Sequence, residues 1–535
     1  MTSLRTTLLL ALASSAIGIA AACGGDEGDY GVSPGGPVGG SGGGGGGGLN
    51  GADAGGDELP PEEELESSYG APVATGTFVW IANPSSGRVA YIDAAKLTIE
   101  VVEAGNAPTF LAPIPAQGED AAIVLNVLSL DATVLRSKNG SLSTKSLPVP
   151  AGGNSWAVSA GGRWAIAWTD SRTAAGADPI DGFQDISVLD LTPGAELSTP
   201  LTIGYRPVAL AFDAQASRAF AVTQDGISVI SLEDGDPIVI KNVKLSDDPL
   251  DDTATRDVSI TPDGDYALVR RDGQAVVSVF SLIDDTRTDV VLPAAATDLD
   301  LSPDGSVAVV VVRETGQVAL LPIPGIVDVP QAFTIFSVDS AVVGSAALAP
   351  ESPTAFLYTN AVPSPLLTVF DSSDIAPTPR TILLRAPVQA VFPTPDAAHA
   401  LVLHDAFQLE GGSKYPAAMS VVPVALDLPA KIRGLEAPVV SVAVAPAGHR
   451  ALVATGDGSH SKFELHVAHL PSLKIDSYAL ASQPIAAGIV AGANRGFVAQ
   501  KHPDGRITFV DFESGEVRTL TGFELATQVV NGSEQ

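Results

Sequence analysis

The sequence of 535 residues contains little that could build a thiolate metal centre or a nucleic-acid interface. A single cysteine, Cys23, excludes an internal disulfide bond and a zinc site made of several cysteines. Basic residues are scarce as well, with 29 lysines and arginines against 61 aspartates and glutamates and a formal net charge of −32 at pH 7. Because such a surface repels phosphate backbones, we expect no nucleic-acid partner. Hydrophobic residues form 45% of the chain, which is enough for a large core.

The first 22 residues have the pattern of a secretory signal peptide. Arg5 supplies a positive charge, and the apolar run at 8–22 that follows is short for a transmembrane helix. The run ends in Ile19-Ala20-Ala21-Ala22-Cys23, which resembles a bacterial lipobox, with Ala20 where that family usually has leucine. The resemblance implies that Cys23 is lipidated and becomes the first residue of the mature chain; an ordinary signal peptide is the alternative. By analogy with sorting rules, Gly24 implies an outer-membrane lipoprotein that faces the periplasm or the cell surface.

The next segment, residues 23–70, is predicted to be a disordered linker. It contains an uninterrupted glycine run at 42–48 and then the charged stretch Pro60-Pro61-Glu62-Glu63-Glu64. Neither stretch offers apolar surface to bury, so we expect a tether rather than a domain. The chain is therefore divided into a lipoprotein signal peptide (1–22), an acidic glycine-rich linker (23–70) and a folded domain (71–535).

From about residue 76, a short pattern of strands and turns recurs. The clearest copies, 257–281 and 298–321, each contain an alternating strand, a Pro-Asp-Gly turn and two further strands. Period-2 alternation and Pro-Asp-Gly turns predict β-hairpins. Weaker copies begin near Pro108, Ser155, Pro207, Val343, Pro387, Pro438 and Pro484. The starts lie roughly 44–52 residues apart, which is typical of the four-stranded blades of a β-propeller.

The Pro-Asp-Gly copies resemble the YVTN-type and TolB-like propeller repeats over about residues 76–531. The resemblance implies an all-β propeller of four-stranded blades. About ten units are counted, which predicts one ring; seven or eight blades, or two rings, are the alternatives. The first unit opens at 78–82 without an innermost strand, and the C-terminal segment 524–530 is predicted to supply it and close the ring.

Histidines and carboxylates at the ends of second strands are candidate metal ligands. Three successive units place a histidine there with a carboxylate nearby, namely His404, Asp405, Asp457, His460, His502 and Asp504. Converging imidazoles and carboxylates bind divalent cations, whereas the alternative is that these are separate loop residues. More generally, acidic residues follow the second strands of seven units, where they suit tight turns. The same residues would also form an acidic ring on one face of the propeller. No other cofactor is predicted.

A second group of charged residues lies near the predicted starts of the inner strands, where a channel-mouth site would form. Its members are Arg206, Arg256, Asp257, Asp298 and Arg385. Propellers that resemble this one include lactonases and quinone-dependent dehydrogenases, whose sites lie at the channel mouth. The resemblance therefore implies an enzyme as one possible function, although the spacing assigns no catalytic residue.

The function favoured by the sequence is a non-catalytic binding scaffold anchored in the bacterial envelope. Propeller discs serve mainly as interaction platforms, so the resemblance implies a protein or polysaccharide partner. The long insertions at 171–184 and 407–418 are the candidate contact loops, since loops on a rigid scaffold often carry function.

Overall fold

The computed structural model describes residues 72–523 and 529–530, apart from 116–117, 139–140, 175–177, 179, 247, 249–250, 339–341, 375, 409–411, 425–427, 460–461 and 503. These residues form an all-β ring of ten blades, a single β-propeller, which confirms the count of ten units. Each blade is an antiparallel sheet whose four strands are neighbours in sequence order. In the part of the chain that the structure describes, no helix is long and apolar enough to cross a membrane.

Each blade contributes one strand to each of four positions, from the channel to the rim. The inner strands are Val73–Ala74, Pro108–Pro113, Ser155–Val158, Pro207–Phe212, Arg256–Ile260, Asp298–Leu301, Ser345–Leu348, Val388–Pro393, Val439–Val444 and Pro484–Val490. The second strands are Phe78–Asn83, Asp120–Asn126, Trp164–Trp168, Arg218–Thr223, Tyr266–Arg271, Val307–Val312, Thr354–Tyr358, His399–His404, Arg450–Asp457 and Arg495–Gln500. The third strands are Arg88–Asp93, Asp131–Lys138, Asp185–Asp190, Gly226–Ser231, Val276–Ser281, Gln317–Pro322, Leu366–Asp371, Ala417–Pro423, Lys462–His469 and Arg506–Asp511. The outer strands are Thr98–Glu103, Ser141–Pro148, Leu197–Thr202, Ile238–Lys244, Arg287–Val291, Thr334–Ser337, Arg380–Leu383, Lys431–Leu435, Lys474–Ala479 and Val517–Thr521.

A few short elements lie outside this plan. A small hairpin, Phe407–Gln408 with Lys414–Tyr415, is inserted between the second and third strands of blade 8. The strand Val529–Val530 pairs with the outer strand of blade 10. The short helical segments of the described residues are the α-helix Gly325–Asp328 and the 3-10 turns Glu233–Gly235, Thr253–Thr255, Arg313–Thr315 and Ala491–Ala493.

The Pro-Asp-Gly sequences form the turns between inner and second strands, as their composition predicts. In blade 6, Gly305 adopts a left-handed φ of 72°, a conformation that favours glycine. The preceding Asp304 accepts hydrogen bonds from the backbone N–H of Ser306 at 3.0 Å and from the hydroxyl of Ser302 at 2.7 Å. The turn is therefore held by its own side chains, which explains why this tripeptide marks the repeat so clearly.

The core consists of apolar layers between neighbouring blades. The second strand Val307–Val312 is buried on both of its faces because a blade packs on each side of it. In blade 3, Trp164 and Trp168 are buried and pack in one cluster with Ala221 and Ile230 of blade 4. Stability therefore comes from contacts between successive blades, whose aromatic side chains supply the largest buried areas.

The ring closes where blade 10 meets blade 1. The backbone N–H of Gly492 donates to the carbonyl of Gly76 at 2.8 Å, and the guanidinium of Arg495 donates to the carbonyl of Ala94 at 2.5 Å. One apolar cluster spans the junction and includes Val79, Ile92, Phe497 and Phe509. The two ends of the repeat array therefore contact each other as adjacent blades do elsewhere.

The strand predicted to close the ring is not the one that does so. The prediction that residues 524–530 supply the innermost strand of the first unit is wrong, because Val73–Ala74 occupies that position and pairs with Phe78–Asn83. The C-terminal Val529–Val530 lies instead at the outer edge of blade 10 as a fifth strand. A strand of two residues is too short to show alternation, so the position of Val73–Ala74 could not be predicted from periodicity.

All ten inner strands run in the same direction, because each blade adds four alternating strands. The turns after the second and outer strands therefore share one face of the disc, which we call the entrance face, and the other turns form the opposite face. Hydrogen bonds join the two turn types of the entrance face: the N–H of Tyr205 donates to Asp225 at 2.9 Å, and that of Asn106 donates to Ser129 at 2.8 Å. The chain enters the ring at Val73, on the entrance face and at the channel.

Charge is distributed unequally between the two faces. Among the described side chains, the turns of the opposite face hold two cations, Lys96 and Arg163, and sixteen carboxylates, namely Glu119, Glu196, Asp213, Glu233, Asp236, Asp263, Asp265, Asp284, Asp285, Asp304, Asp328, Glu351, Asp374, Asp396, Glu513 and Glu516. The described turns of the entrance face hold twelve carboxylates, namely Asp170, Asp178, Asp181, Asp225, Asp248, Asp251, Asp252, Asp272, Glu314, Asp405, Glu436 and Asp504, and six cations, namely Arg172, Arg206, Arg313, Arg385, Lys414 and Lys501. The predicted acidic residues after the second strands are thus partly neutralised, and the opposite face is the more negative of the two.

Candidate functional site

Charge on the channel wall is confined to two adjacent blades. Of the ten inner strands, all of which the structure describes, only Arg256–Ile260 of blade 5 and Asp298–Leu301 of blade 6 contain charged residues. The other eight carry apolar and uncharged polar residues. A localised charged group on an otherwise neutral wall is the strongest candidate for a site in the channel.

Asp257 is held opposite an arginine of its own blade. The antiparallel register pairs Asp257 with Arg270, whose Nε lies 3.5 Å from Oδ2 of Asp257. The same guanidinium donates to Asp272 at 2.8 Å. Burial raises the pKa of the Asp257 carboxyl, and the positive charge of Arg270 opposes this shift.

Asp300 lies two residues beyond Asp298 on the inner strand of blade 6, and no described group donates a hydrogen bond to its carboxylate. Burial raises the pKa of Asp300 well above its usual range, and the negative charges of Asp298 and Asp257 raise it further. Asp298 differs because it accepts hydrogen bonds from the N–H groups of Leu299 at 2.9 Å and Ala346 at 2.6 Å, which join blades 6 and 7. The site therefore contains a carboxyl group that favours its protonated form, beside one fixed by the backbone.

The other arginines predicted at the channel mouth have separate roles. Arg256 faces blade 4, where its fully buried guanidinium donates to the carbonyls of Thr223 and Gln224 and pairs with Asp251. Burial lowers the pKa of Arg256. It therefore acts as a clamp between blades, and the structure does not place it in the group formed by Asp257, Asp298 and Asp300.

Arg206 and Arg385 lie in turns of the entrance face. Arg206 adopts a left-handed φ of 51°, and its guanidinium lies 5.9 Å from the ring centre of Phe183 in the blade 3 insertion. Arg385 is exposed in the connection between blades 7 and 8. Of the five predicted channel-mouth residues, the structure thus brings together Asp257 and Asp298 and adds Arg270 and Asp300.

The predicted metal ligands are not gathered at one point in the described residues. The ring nitrogens of the fully buried His404 are both engaged, with Nδ1 donating to the carbonyl of Pro387 at 2.9 Å and Nε2 accepting from Ser420 at 2.7 Å. Burial lowers the pKa of His404 to about 4. His404 is therefore a structural histidine in its neutral form, with no free nitrogen to offer a cation.

The remaining members of that set lie in turns. Asp405 is exposed, and Asp457 accepts from Ser459 at the end of its strand. His502 accepts a hydrogen bond from the N–H of Asp504 at 3.2 Å, and His460 lies outside the described residues. Within the described ranges, no three His, Cys, Asp or Glu side chains are close enough to hold a metal ion.

Two insertions rise from the entrance face, between the second and third strands of blades 3 and 8. The blade 8 insertion contains the hairpin Phe407–Gln408 with Lys414–Tyr415, and the aromatic ring of Tyr415 packs against Gly434 of the outer strand. A Cβ at Gly434 would lie 2.5 Å from that ring, so only glycine admits the contact. The base of this insertion is therefore fixed to the blade, which suits a preformed contact loop.

Comparison with known proteins identifies no family for this chain. No protein-family description and no curated protein matches the chain. Among solved structures, a eukaryotic initiation factor is 13% identical and covers 74% of this chain and 96% of its own, with a TM-score of 0.49. Dihydro-heme d1 dehydrogenase NirN is 12% identical and covers 79% of this chain and 76% of its own, with a TM-score of 0.39. Hydrazine synthase of Kuenenia stuttgartiensis is 15% identical over 56% of this chain and 94% of its own, with a TM-score of 0.32. Similarities of this degree carry no inference about activity.

Proposed function

We propose that this chain is a lipid-anchored β-propeller of the bacterial outer membrane that binds an envelope protein or polysaccharide without transforming it. In this proposal, Cys23 carries the lipid and residues 23–70 act as the tether. The propeller then presents its turns as a rigid recognition surface toward the periplasm or the cell surface.

The observation that carries the proposal is the pair of insertions on a regular ring. Ten blades share one plan, yet blades 3 and 8 alone have connections of 16 and 12 residues, 169–184 and 405–416, between their second and third strands. The packing of Tyr415 on Gly434 anchors one insertion, and the contact between Phe183 and Arg206 anchors the other. Preformed loops lose little conformational entropy on binding, which favours recognition of a partner.

A second candidate function is an enzyme with its site on the channel wall. The observation that favours it is the carboxyl group of Asp300, which lacks a hydrogen-bond donor among the described residues and lies near Asp257 and Arg270. A carboxyl group whose pKa is raised well above its usual range could act as a general acid on a small ligand in the channel. This role requires no metal, and a divalent cation at His460 or His502 stays a separate hypothesis.

The two functions are separated by matched variants in one pull-down experiment. The tagged protein is recovered from its native envelope in mild detergent after cross-linking, and the bound material is identified by mass spectrometry. We expect a stoichiometric partner that is lost when 407–415 is replaced by a short Gly-Ser turn. The same partner should be retained by the channel variant Asp257→Asn/Asp300→Asn, which keeps both insertions.

The opposite pattern contradicts the scaffold proposal. Loss of the partner in the channel variant but not in the insertion variant would transfer recognition to the channel and favour the enzyme. A variant Cys23→Ser tests the anchor independently, because release into the soluble fraction is expected only if this residue carries the lipid. Retention of that variant in the membrane with an uncleaved signal peptide would contradict the proposed localisation.

A further inference from the structure

One sector of the entrance face lacks charged turns. The described turns at 84–87, 104–107, 127–130 and 149–154, which belong to blades 1 and 2 and to the connections that follow them, contain no Asp, Glu, Lys, Arg or His. We call these four turns the neutral sector. The charged residues at its border include the exposed ion pair of Arg88 and Glu103, the hydrogen-bonded Asp131, and Lys501 and Asp504 in the adjacent turn of blade 10. On a chain with a net charge of −32, an uncharged region of this size is unusual.

Large apolar side chains are exposed in and beside this sector. Leu128 is 73% exposed and Leu130 is 45% exposed, both in the turn of blade 2. Phe110 of the neighbouring inner strand and Ile485 at the start of the inner strand of blade 10 are exposed as well. The turn is rigid rather than loose, because the N–H of Leu128 donates to the carbonyl of Asn106 at 3.2 Å. Exposed apolar side chains on a fixed turn indicate a contact surface.

The chain from the N-terminus joins the ring inside the same sector. Val73–Ala74 is the inner strand of blade 1, and blade 1 lies between blades 10 and 2. Because this strand begins on the entrance face, the described chain starts at the edge of the neutral sector. The point at which the N-terminal residues are covalently joined to the ring is therefore on the side of these exposed apolar residues.

The charge distribution favours the same orientation. The turns of the opposite face hold sixteen carboxylates and two cations among described side chains, whereas the neutral sector holds none of either sign. A bilayer containing anionic phospholipid repels the carboxylates and accepts uncharged apolar side chains at its interface. Placing the neutral sector against a membrane therefore costs less electrostatic free energy than placing the opposite face there.

We infer that the neutral sector is a membrane-docking surface, so that the propeller rests on the phospholipid bilayer through Leu128, Leu130 and Ile485 and turns its carboxylate-rich face away. The inference rests on the proposed anchoring at Cys23. The insertion of blade 3 borders the docked sector, the insertion of blade 8 lies beyond blades 9 and 10, and the charged wall of blades 5 and 6 lies across the channel. Docking by one sector leaves these regions open to a partner.

Site-specific fluorescence on the lipidated full-length protein tests the orientation. Lipidation consumes the one native thiol, so a cysteine introduced elsewhere is the only labelling site. Leu128→Cys reports on the neutral sector, and Ile283→Cys, at a residue 61% exposed in a turn of the opposite face, is the matched control. Each variant is labelled with a polarity-sensitive dye and reconstituted into phosphatidylethanolamine and phosphatidylglycerol vesicles containing a nitroxide-labelled lipid.

We expect the dye at residue 128 to be quenched several-fold more than the dye at residue 283. Quenching should fall to the control level in Leu128→Cys/Leu130→Asp/Ile485→Asp, which places carboxylates on the docking surface. Equal quenching at both positions, or stronger quenching at 283, in protein that floats with the vesicles overturns the docking surface and leaves the anchor intact. Failure of the unlabelled protein to float with the vesicles contradicts the anchor itself, so the two failures are distinguishable.

Discussion

Acid should destabilise this propeller through a buried histidine that the fold keeps neutral. His404 lies at the end of the second strand of blade 8 and has no exposed surface. Its pKa falls from 6.5 to about 4 because burial disfavours the imidazolium form. In the neutral tautomer, Nδ1 donates a hydrogen bond to the carbonyl of Pro387 and Nε2 accepts one from the Ser420 hydroxyl, so both ring nitrogens have partners. Protonation of Nε2 would place its new proton against the proton of the Ser420 hydroxyl.

The direction and size of the effect follow from linkage between protonation and folding. Between about pH 6.5 and 4, the unfolded chain binds a proton at His404 that the folded protein does not, so stability falls as the pH falls. A difference of about 2.5 pKa units corresponds to about 3 kcal/mol in full, of which roughly 2.5 kcal/mol is lost by pH 4.5. Above pH 6.5 both states are neutral and this contribution to stability is complete.

The variant His404→Gln tests this calculation, because glutamine fills the site without titrating. At pH 7 it should cost about 1 kcal/mol for an imperfect hydrogen bond. Urea unfolding of wild type and variant at pH 7 and 4.5 should show that the acid-induced loss of unfolding free energy is smaller in the variant by roughly 2.5 kcal/mol. His502→Gln, in an entrance-face turn, serves as the control and should leave the acid-induced loss unchanged. The reasoning is refuted if His404→Gln loses as much stability as wild type over this range.

Four further variants address other parts of the structure. Arg136→Met removes the guanidinium that pairs with the buried Glu119 and Glu196 at the junction between blades 2 and 3, which leaves, among the described cations, only Lys138 at 3.9 Å from Glu119. It should cost about 3–5 kcal/mol of unfolding free energy, measured by denaturant titration. Asp300→Asn should raise the melting temperature at pH 8, because folding there forces the native carboxyl either to stay ionised while buried or to take up a proton. The gain in melting temperature should vanish near pH 4, and a gain that does not depend on pH contradicts the raised pKa. Gly434→Ala forces the ring of Tyr415 to move and should expose the blade 8 hairpin to limited proteolysis while the ring stays folded by circular dichroism. Cys23→Ser should move the protein from the membrane pellet to the supernatant; unchanged pelleting rejects lipidation at this residue.

The architecture was predictable because the turns of the repeat contain proline, aspartate and glycine, which favour turn conformations of the backbone. The predicted unit starts at Pro108, Ser155, Pro207 and Pro484 are the first residues of inner strands in the structure. Proline at the start of several inner strands, and Pro-Asp-Gly after two others, mark the ends of these elements. The number of blades could be counted from these turn and strand-start residues alone, without knowledge of any long-range contact.

The ring closure and the site were predicted less well, for a physical reason. Closure depends on which segment pairs with Phe78–Asn83, and Val73–Ala74 is too short to show the alternation that drew the prediction to the longer C-terminal segment. In the site, Asp300 reads as the polar member of an alternating strand, and only the packing of blades shows that no donor faces it. Arg256 and Asp257 are adjacent in sequence but point to opposite neighbours, so one clamps blade 4 and the other joins the channel group.

The short inner strand of blade 1 also determines how the molecule responds to mechanical force. The pairs Val73 with Trp80 and Ala74 with Val79 are the only strand register that joins it to the rest of its described sheet. A force applied along the N-terminal chain acts on these two residue pairs before it acts on the pairing of any other strand. Every other pair of adjacent blades is joined by a direct connection of the chain, whereas blades 10 and 1 meet through non-covalent contacts in the described residues, so we expect tension to open the ring first at that junction.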